Sequence, residues 1–254
     1  MVTGIHHVGI AVKSLATAYR FWRDTLGLPL TREAEVTDQG VRAALLAAGD
    51  SEIELLEPLD ADSPIGRFLG KRGEGLHHVC FKSADVADEL AALRAKGVSL
   101  LDTAPRRGLA GRIAFLHPQA CHGVLVELAT PDAGSDHPDS PVRFKRLVIG
   151  SPSPDDTAKT YQDLFGLPEV EVNNGGPRTM LGWAGGVTLM MVPAREARGM
   201  EGLVALSMVA PDLPPLVARL EQAKASMLVG AAELTVEPQS SHGVHLHISR
   251  YHFP

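Results

Sequence analysis

Apolar and polar positions follow one order twice along the first half of the chain. A short apolar segment, Val8–Val12, precedes apolar residues at helical spacing between Leu15 and Leu26, and alternating segments come after them. The same order returns from Val79–Phe81, with helical spacing after Asp85. Side chains alternate between faces in a strand and recur at i, i+3 and i+4 in a helix. Each copy is therefore predicted to be a β-α-β-β unit with one further strand.

The helix of each copy has recognisable ends. Ser14 and Asp85 are suitable N-caps, and Gly27 and Gly97 are suitable residues for ending the two helices. The strands predicted after the helices are Val41–Ala47 and Ile53–Leu56 in the first copy, and Arg112–Leu116 and Val124–Leu128 in the second.

The pattern returns once more, in weaker form, beyond a proline-rich segment at 132–141 that we interpret as a linker. There "RLVIGSPSPDDTAKTYQDLFGLPEV" parallels "HVGIAVKSLATAYRFWRDTLGLPL" near the start of the chain. Four copies of one unit are thus predicted, arranged as two domains at 1–131 and 142–254.

Composition narrows the class of protein. The 254 residues carry a formal net charge of −6 and contain no basic run interleaved with aromatics, so nucleic acid is not an expected partner. No segment has the length of a membrane span, and the start of the chain lacks a signal-peptide pattern, so we expect a cytoplasmic protein without membrane attachment. Cys80 and Cys121 are expected to be buried, reduced thiols.

Two histidines and two glutamates occupy matching places in the first two copies. His7 and His78 each end a His-His pair at the start of a strand, and Glu54 and Glu127 each lie opposite an apolar stripe. A local twofold axis would bring the four side chains into one cleft. Because burying two unpaired carboxylates is costly and a cation removes that cost, the pattern predicts a metal site of two imidazoles and two carboxylates.

The other members of the pairs, His6 and His77, are predicted to lie on the opposite strand face in a structural or supporting role. The mixed nitrogen and oxygen ligand set suits a divalent ion such as Mn, Fe, Co, Ni or Zn. Four protein ligands leave two positions of an octahedral ion for a bidentate substrate. Such an ion stabilises an enolate oxygen as a Lewis acid, and a neighbouring carboxylate can move the proton. The predicted reaction is proton abstraction next to a carbonyl.

Several strings resemble one enzyme family: "HHVGIAV", "DQGVRAALL", "EIELLEPLDADSPIGRFL", "GEGLHHVCF", "FLHP" and "GVLVEL". Across residues 4–130 the chain resembles methylmalonyl-CoA epimerase, of the vicinal oxygen chelate superfamily. The resemblance implies an α+β fold of paired βαβββ modules around a half-open barrel. It also implies a divalent metal, with Co or Mn favoured, held by His7, Glu54, His78 and Glu127. The implied substrate is a 2-substituted malonyl-CoA thioester, epimerised by α-proton abstraction through a metal-bound enolate.

One departure from the family concerns the second acid/base group. Some members carry a glutamate three residues after the glycine of the "QG" pair, where this chain has Ala43. Glu127 then serves as both ligand and catalytic base. The second proton carrier is left open between Asp38, Glu35 and water.

The second departure is the extra half of the chain. Aligning the copies puts Arg146 at the place of His7, Ala205 at that of His78, His247 at that of Glu127, and Thr188 or Leu189 at that of Glu54. We interpret 142–254 as a degenerate copy that acts as a built-in dimer partner, with an independent binding module as the alternative. The chain is then a monomeric pseudo-dimer or a homodimer. The tail histidines are expected at the surface, although they could bind metal weakly: His242, His245, His247 and His252.

Three rival functions share this superfamily. A glyoxalase-I-like lyase uses the same ligand types on a thiol hemithioacetal, although the strings around Gln39 and Glu54 argue against it. A ring-cleaving dioxygenase uses two histidines and one carboxylate on Fe(II), so Glu54 is one ligand too many. A non-catalytic binding protein of the superfamily lacks the ligand set.

Overall fold

The computed structural model describes residues 2–132, 137–170, 179–183 and 185–250. Within these residues the strands form two mixed sheets, one of eight strands and one of seven. The predicted class, an α+β fold of sheet-dominated modules, is confirmed. No helix in the described part of the chain has the length and apolar character needed to cross a membrane.

The first sheet comprises β1 (Val2–Ala11), β2 (Leu30–Val36), β3 (Val41–Ala47), β4 (Glu52–Pro58), β5 (Gly75–Ser83), β6 (Arg106–Gly108), β7 (Gly111–Leu116) and β8 (Leu125–Thr130). The second comprises β9 (Arg143–Ser151), β10 (Thr179–Gly182), β11 (Thr188–Pro193), β12 (Gly202–Val209), β13 (Met227–Val229), β14 (Glu233–Val236) and β15 (Leu246–Ser249). The helices are α1 (Leu15–Tyr19), which continues into a π-helical segment (Arg20–Thr25), α2 (Pro64–Arg72), α3 (Val86–Ala95), α4 (Pro154–Phe165) and α5 (Leu213–Gln222).

Each sheet has the symmetry that the repeats predict. The first sheet runs in the order β2-β3-β4-β1-β5-β8-β7-β6, with β1 and β5 antiparallel at its centre. On either side a parallel strand follows, β4 beside β1 and β8 beside β5. Over the described residues the second sheet repeats this order around β9 and β12, without a counterpart of β2. The two copies in each half are therefore related by a local twofold axis between the central strands.

Both His-His pairs coincide with irregularities in the central strand pair. The register between β1 and β5 shifts between Ile5 and His7 and again at His77. His6 and His77 are therefore bulge residues, which have no partner in the pairing of the two strands. A bulge of this kind interrupts the strict alternation of side chains. Our expectation that His6 and His77 lie on the opposite strand face is therefore wrong, because it assumed a regular strand; their contacts with His7 and His78 fit the supporting role that we predicted for them.

The second sheet keeps both irregularities without the histidines. Lys145 on β9 and Val204 on β12 are the extra residues there. The bulges thus belong to the module, and only those of the first sheet carry histidines.

The two halves share one apolar core. Phe81 of β5 packs its ring against Phe165 of α4, with centroids 4.8 Å apart, and against Tyr161 of the same helix. All three side chains are buried. Helix α4 therefore contacts the first sheet as well as the second, and the halves are expected to unfold together.

The linker prediction is tested only over residues 137–141, because 133–136 lie outside the described residues. Near its end the Gly49 amide donates to Ser140 Oγ at 3.0 Å, and the Phe144 amide donates to the Ala48 carbonyl. The segment therefore runs along the first sheet before the second sheet starts. The domain boundaries at 131 and 142 remain a prediction.

We predict that Phe165→Ala lowers the free energy of unfolding of the whole chain by about 3–5 kcal/mol, because it leaves a cavity in the shared core. Chemical denaturation followed by circular dichroism should still show one transition. Leu228→Ala, at a side chain that is 69% exposed, should change the free energy by less than about 0.5 kcal/mol. Two separate transitions in the wild type would contradict the shared core.

Candidate metal centre

Four buried side chains converge at the centre of the first sheet. His7 Nε2 lies 3.0 Å from His78 Nε2, 3.4 Å from Glu54 Oε2 and 3.2 Å from Glu127 Oε2. His78 Nε2 lies 3.4 Å from the Glu54 oxygen and 2.9 Å from the Glu127 oxygen. The four predicted ligands are thus brought together, each with one ligand atom within 4.8 Å of the others.

The strand register explains this convergence. Gly9 pairs with His78 across the central ladder and with Glu54 on the parallel side. By the same arrangement Cys80 pairs with His7 and with Glu127. Each histidine therefore stands beside the glycine or cysteine of the partner strand, and the carboxylates flank the pair.

Gly9 is required by the packing of the His78 ring. A Cβ atom at Gly9 would lie 2.1 Å from His78 Cε1 and 2.3 Å from Nδ1. The imidazole therefore covers the bare backbone of the central strand, and any larger residue would displace it.

The outer nitrogens of the two histidines are engaged by their neighbours. His6 Nδ1 lies 2.9 Å from His7 Nδ1, and His77 Nδ1 lies 3.0 Å from His78 Nδ1. One nitrogen of each pair must carry the proton. Such contacts fix the ring orientation of a ligating histidine and leave its Nε2 directed at the centre.

The imidazoles and the carboxylates of the four side chains stabilise one another's charged forms. Burial disfavours a charged imidazole, but the neighbouring carboxylates outweigh it and raise the pKa of His78. Burial likewise disfavours the carboxylates, yet His7 and His78 outweigh it and lower the pKa of Glu54 and Glu127. Both carboxylates are therefore ionised at neutral pH.

The surrounding groups stay neutral. Burial, followed by the charge of the adjacent ligating histidine, lowers the pKa of His6 and of His77 to about 3. Burial and the nearby Glu127 raise the pKa of the Cys80 thiol to about 12. Cys80 and Cys121 are both free and buried, as predicted.

The arrangement fits a divalent ion. Two ligands that each lie about 2.1 Å from an ion, at right angles to one another, are about 3.0 Å apart. The imidazole nitrogens of the cluster lie 2.9–3.4 Å from one another and from the carboxylate oxygens, close to this separation. When such an ion is bound, both imidazoles would coordinate it in their neutral form, and the two carboxylates would supply two negative charges that a divalent cation neutralises. The donor set of two nitrogens and two oxygens favours a first-row transition ion over calcium.

A cleft of about 240 Å³ opens above the centre. Its walls are largely apolar, with Phe115 lying edge-on to His78 at a centroid distance of 5.5 Å. Arg106 stacks over the Phe115 ring and pairs with Asp102 at 3.2 Å. The cleft therefore combines the charged centre with an apolar wall and a cationic side chain near its mouth.

The two acidic candidates for the second proton carrier lie in different places. Asp38 lines the cleft, where it faces Arg106 at 3.5 Å, and Ala43 lines it as well. Glu35 does not line the cleft, and it pairs with Arg42 at 2.7 Å. Of these two candidates, Asp38 is thus the one available to a molecule in the cleft.

A third buried carboxylate, that of Glu52, lies near the centre and was not among the predicted site residues. Glu52 is 2% exposed and accepts a hydrogen bond from Thr31 Oγ1 at 2.6 Å. Its other near neighbours are His6 Nδ1 at 3.9 Å and His137 Nδ1 at 3.7 Å. The alternation that marks Glu54 places Glu52 on the same face, and a systematic search of that face would have found it.

The matching place in the second sheet has lost the ligand set. Arg146, Ala205 and His247 stand where His7, His78 and Glu127 stand in the first sheet, as predicted. The fourth assignment is corrected. Met190 pairs with Val148 as Glu54 pairs with Gly9, so neither Thr188 nor Leu189 matches Glu54. The comparison of the sequences missed this because only the strand register decides which residue of β11 matches Glu54.

The tail histidines are less exposed than expected. His242 is half-buried and pairs with Glu74 of the first half at 3.1 Å. His245 and His247 stack edge to face and line a cavity. The surface assignment is therefore wrong for these three, and His252 lies outside the described residues.

Fold and site together define a protein of paired modules with a two-histidine, two-glutamate cluster between them. The sequence profile of the Glyoxalase/Bleomycin resistance protein/Dioxygenase superfamily matches residues 6–117. The Uncharacterized protein YqjC of Bacillus subtilis is 43% identical over 134 residues, which cover 52% of this chain and 95% of that protein. The Ethylmalonyl-CoA/methylmalonyl-CoA epimerase of Cereibacter sphaeroides is 36% identical over 50% of this chain and 98% of its own length.

This chain is also similar to a solved structure. A Streptomyces coelicolor methylmalonyl-CoA epimerase variant in complex with 2-nitronate-propionyl-CoA is 45% identical, with a TM-score of 0.51, and covers 52% of this chain and 100% of its own. The chain belongs to the glyoxalase/bleomycin resistance/dioxygenase superfamily, and the resemblance to its epimerases is confirmed.

We predict that Gly9→Ala weakens binding of Mn²⁺ or Co²⁺ by about 10–100-fold, because the added Cβ displaces the His78 ring. Titration calorimetry on metal-stripped protein measures the change. Gly4→Ala is the matched control on the same strand, since a Cβ there meets nothing within 4 Å. Equal metal affinity in the two variants would contradict the proposed role of the His78 ring.

Proposed function

We propose that this protein is a divalent-metal-dependent epimerase that inverts the α-carbon of a 2-substituted malonyl-CoA thioester, methylmalonyl-CoA or a close relative. The observation that carries the proposal is the convergence of His7, Glu54, His78 and Glu127 at the base of a cleft. Relatives named as epimerases of methylmalonyl-CoA and ethylmalonyl-CoA support the substrate class. A cytoplasmic location remains a prediction.

The four side chains would hold the ion through His7 Nε2, His78 Nε2 and one oxygen each of Glu54 and Glu127. When bound, the ion supplies a Lewis acid that favours negative charge on a carbonyl oxygen of the substrate. A carboxylate of the cluster is placed to take the α-proton, and we assign this role to Glu127, whose Oε2 lies 2.9 Å from His78 Nε2. Phe115 and the other apolar residues of the wall exclude water from the carbanion.

Inversion needs a proton delivered to the other face of the α-carbon. In this chain the alanine at position 43 offers no carboxyl group, and we assign the second transfer to Asp38. Its position on the cleft wall supports this assignment over Glu35. The salt bridge with Arg106 holds the Asp38 side chain at the mouth.

We further propose that 142–254 serves as a built-in partner for the active half, in one chain that is a pseudo-dimer. The packing of Phe165 on Phe81 and the pairing of His242 with Glu74 support this role. Whether two chains associate further is left to a measurement of mass in solution.

We predict that the metal-loaded protein exchanges the α-proton of methylmalonyl-CoA with deuterated buffer and interconverts its epimers. Glu127→Gln should lower both rates by at least about 10²-fold, because it removes the proposed base. Glu221→Gln, an exposed substitution on α5, is the control. Proton NMR and mass spectrometry follow the exchange.

Absence of both exchange and interconversion with metal supplied would contradict the proposal. Turnover of the methylglyoxal–glutathione adduct in place of the thioester would favour a glyoxalase-like lyase instead.

We predict that Asp38→Asn separates the two proton transfers. Epimer interconversion should fall by about 10–100-fold, while α-proton exchange on the epimer that Glu127 deprotonates continues. Glu35→Gln is the matched control on the same hairpin and should behave as wild type. If both variants interconvert the epimers at the wild-type rate, solvent water carries the second proton and the assignment of Asp38 is wrong.

A further inference from the structure

The second half contains a cavity of about 610 Å³ at the place that corresponds to the metal centre. All four residues that replace the ligands line it: Arg146, Met190, Ala205 and His247. The cavity is larger than the cleft of the first half. It is therefore the same structural pocket with different chemistry.

A metal ion does not fit this donor set. Met190 and Ala205 supply no hard ligand, and Arg146 places a permanently charged guanidinium, which cannot coordinate a metal, where the first half has the His7 imidazole. Arg146 Nη1 donates toward the Met190 sulfur at 3.9 Å. Thr235 Oγ1 is 3.0 Å from His247 Nδ1, so this imidazole is already oriented by a hydroxyl.

The charge of the cavity wall favours an anion. Three cationic side chains and two acidic ones line it: Lys145, Arg146, Arg198, Glu196 and Glu233. Two imidazoles, His245 and His247, add hydrogen-bonding groups. Lys145 occupies the bulge that His6 occupies in the first half, next to Arg146, and its Nζ donates to Ser249 Oγ at 3.3 Å. Two adjacent cations thus mark one end of the pocket.

The rest of the wall is apolar. Val148, Val192 and Ala205 form a small buried cluster, and Met190 packs against it. Met200 lies at the rim and is 48% exposed, so the pocket communicates with solvent there. Methionine side chains adapt to irregular apolar ligands. A pocket with a cationic end and an adaptable apolar wall is suited to an amphipathic molecule.

We propose that the second half binds an organic monoanion, with a carboxylate head on Arg146 and an aliphatic body along Met190 and Val148. A guanidinium donates two parallel hydrogen bonds to a carboxylate, which a lysine or a metal-free imidazole pair does not reproduce. The replacement of the four coordinating side chains then changes what the pocket binds, from a metal cation to an organic anion. This site is separate from the proposed epimerase centre and does not depend on it.

The test is titration calorimetry with sodium octanoate, and with octanol as the uncharged counterpart. We expect one octanoate per chain and at least about tenfold weaker binding of octanol. Arg146→Met should weaken octanoate binding by about tenfold or more. Arg195→Met is the matched control, because Arg195 is exposed in the neighbouring turn and does not line the cavity.

Two further variants locate the ligand. Ala205→Phe fills the pocket and should also abolish binding, which keeps the proposal testable if Arg146→Met does not fold. His78→Ala disrupts the first centre and should leave octanoate binding unchanged. The proposal is overturned if octanoate does not bind the wild type, if Arg146→Met and Ala205→Phe both bind it normally, or if only His78→Ala abolishes binding.

Discussion

Two ionised carboxylates buried against two imidazoles are the constraint on which the rest of the first half depends. Glu54 and Glu127 cannot be held in an apolar sheet without a compensating positive charge. On the function we propose, one divalent cation would neutralise both carboxylates, and the observed separations suit its coordination by the two imidazole nitrogens as well. The glycine at position 9, the bulges at His6 and His77 and the parallel strands β4 and β8 all serve to bring these four atoms together.

Because a local twofold axis relates the two copies of the unit in the first half, one short unit, present twice, contributes all four side chains of the centre. Each unit contributes one histidine from a central strand and one glutamate from the strand parallel to it. The second half shows what the same framework becomes when the ligands change. There Arg146 carries positive charge within the chain itself, so the pocket no longer requires a bound cation. The same pair of bulges remains, which shows that they are properties of the fold.

Repetition made the convergence of the four side chains predictable from the sequence, because the same histidine and glutamate recur at matching positions. The α+β class and the ends of α3 were predictable too, since Asp85 accepts hydrogen bonds from the Ala87 and Asp88 amides. The positions of His6 and His77 were not, because a bulge has no clear pattern in a single apolar strand. Met190 was missed because only strand register decides the alignment of a degenerate copy.

We infer that this chain holds one divalent ion, in its first half alone. The stoichiometry of Co²⁺ binding to metal-stripped protein, measured by titration calorimetry, tests this inference. We expect one tight site per chain in the wild type and none after His78→Ala, with the fold retained. Two tight sites per chain, or one that survives His78→Ala, would contradict it.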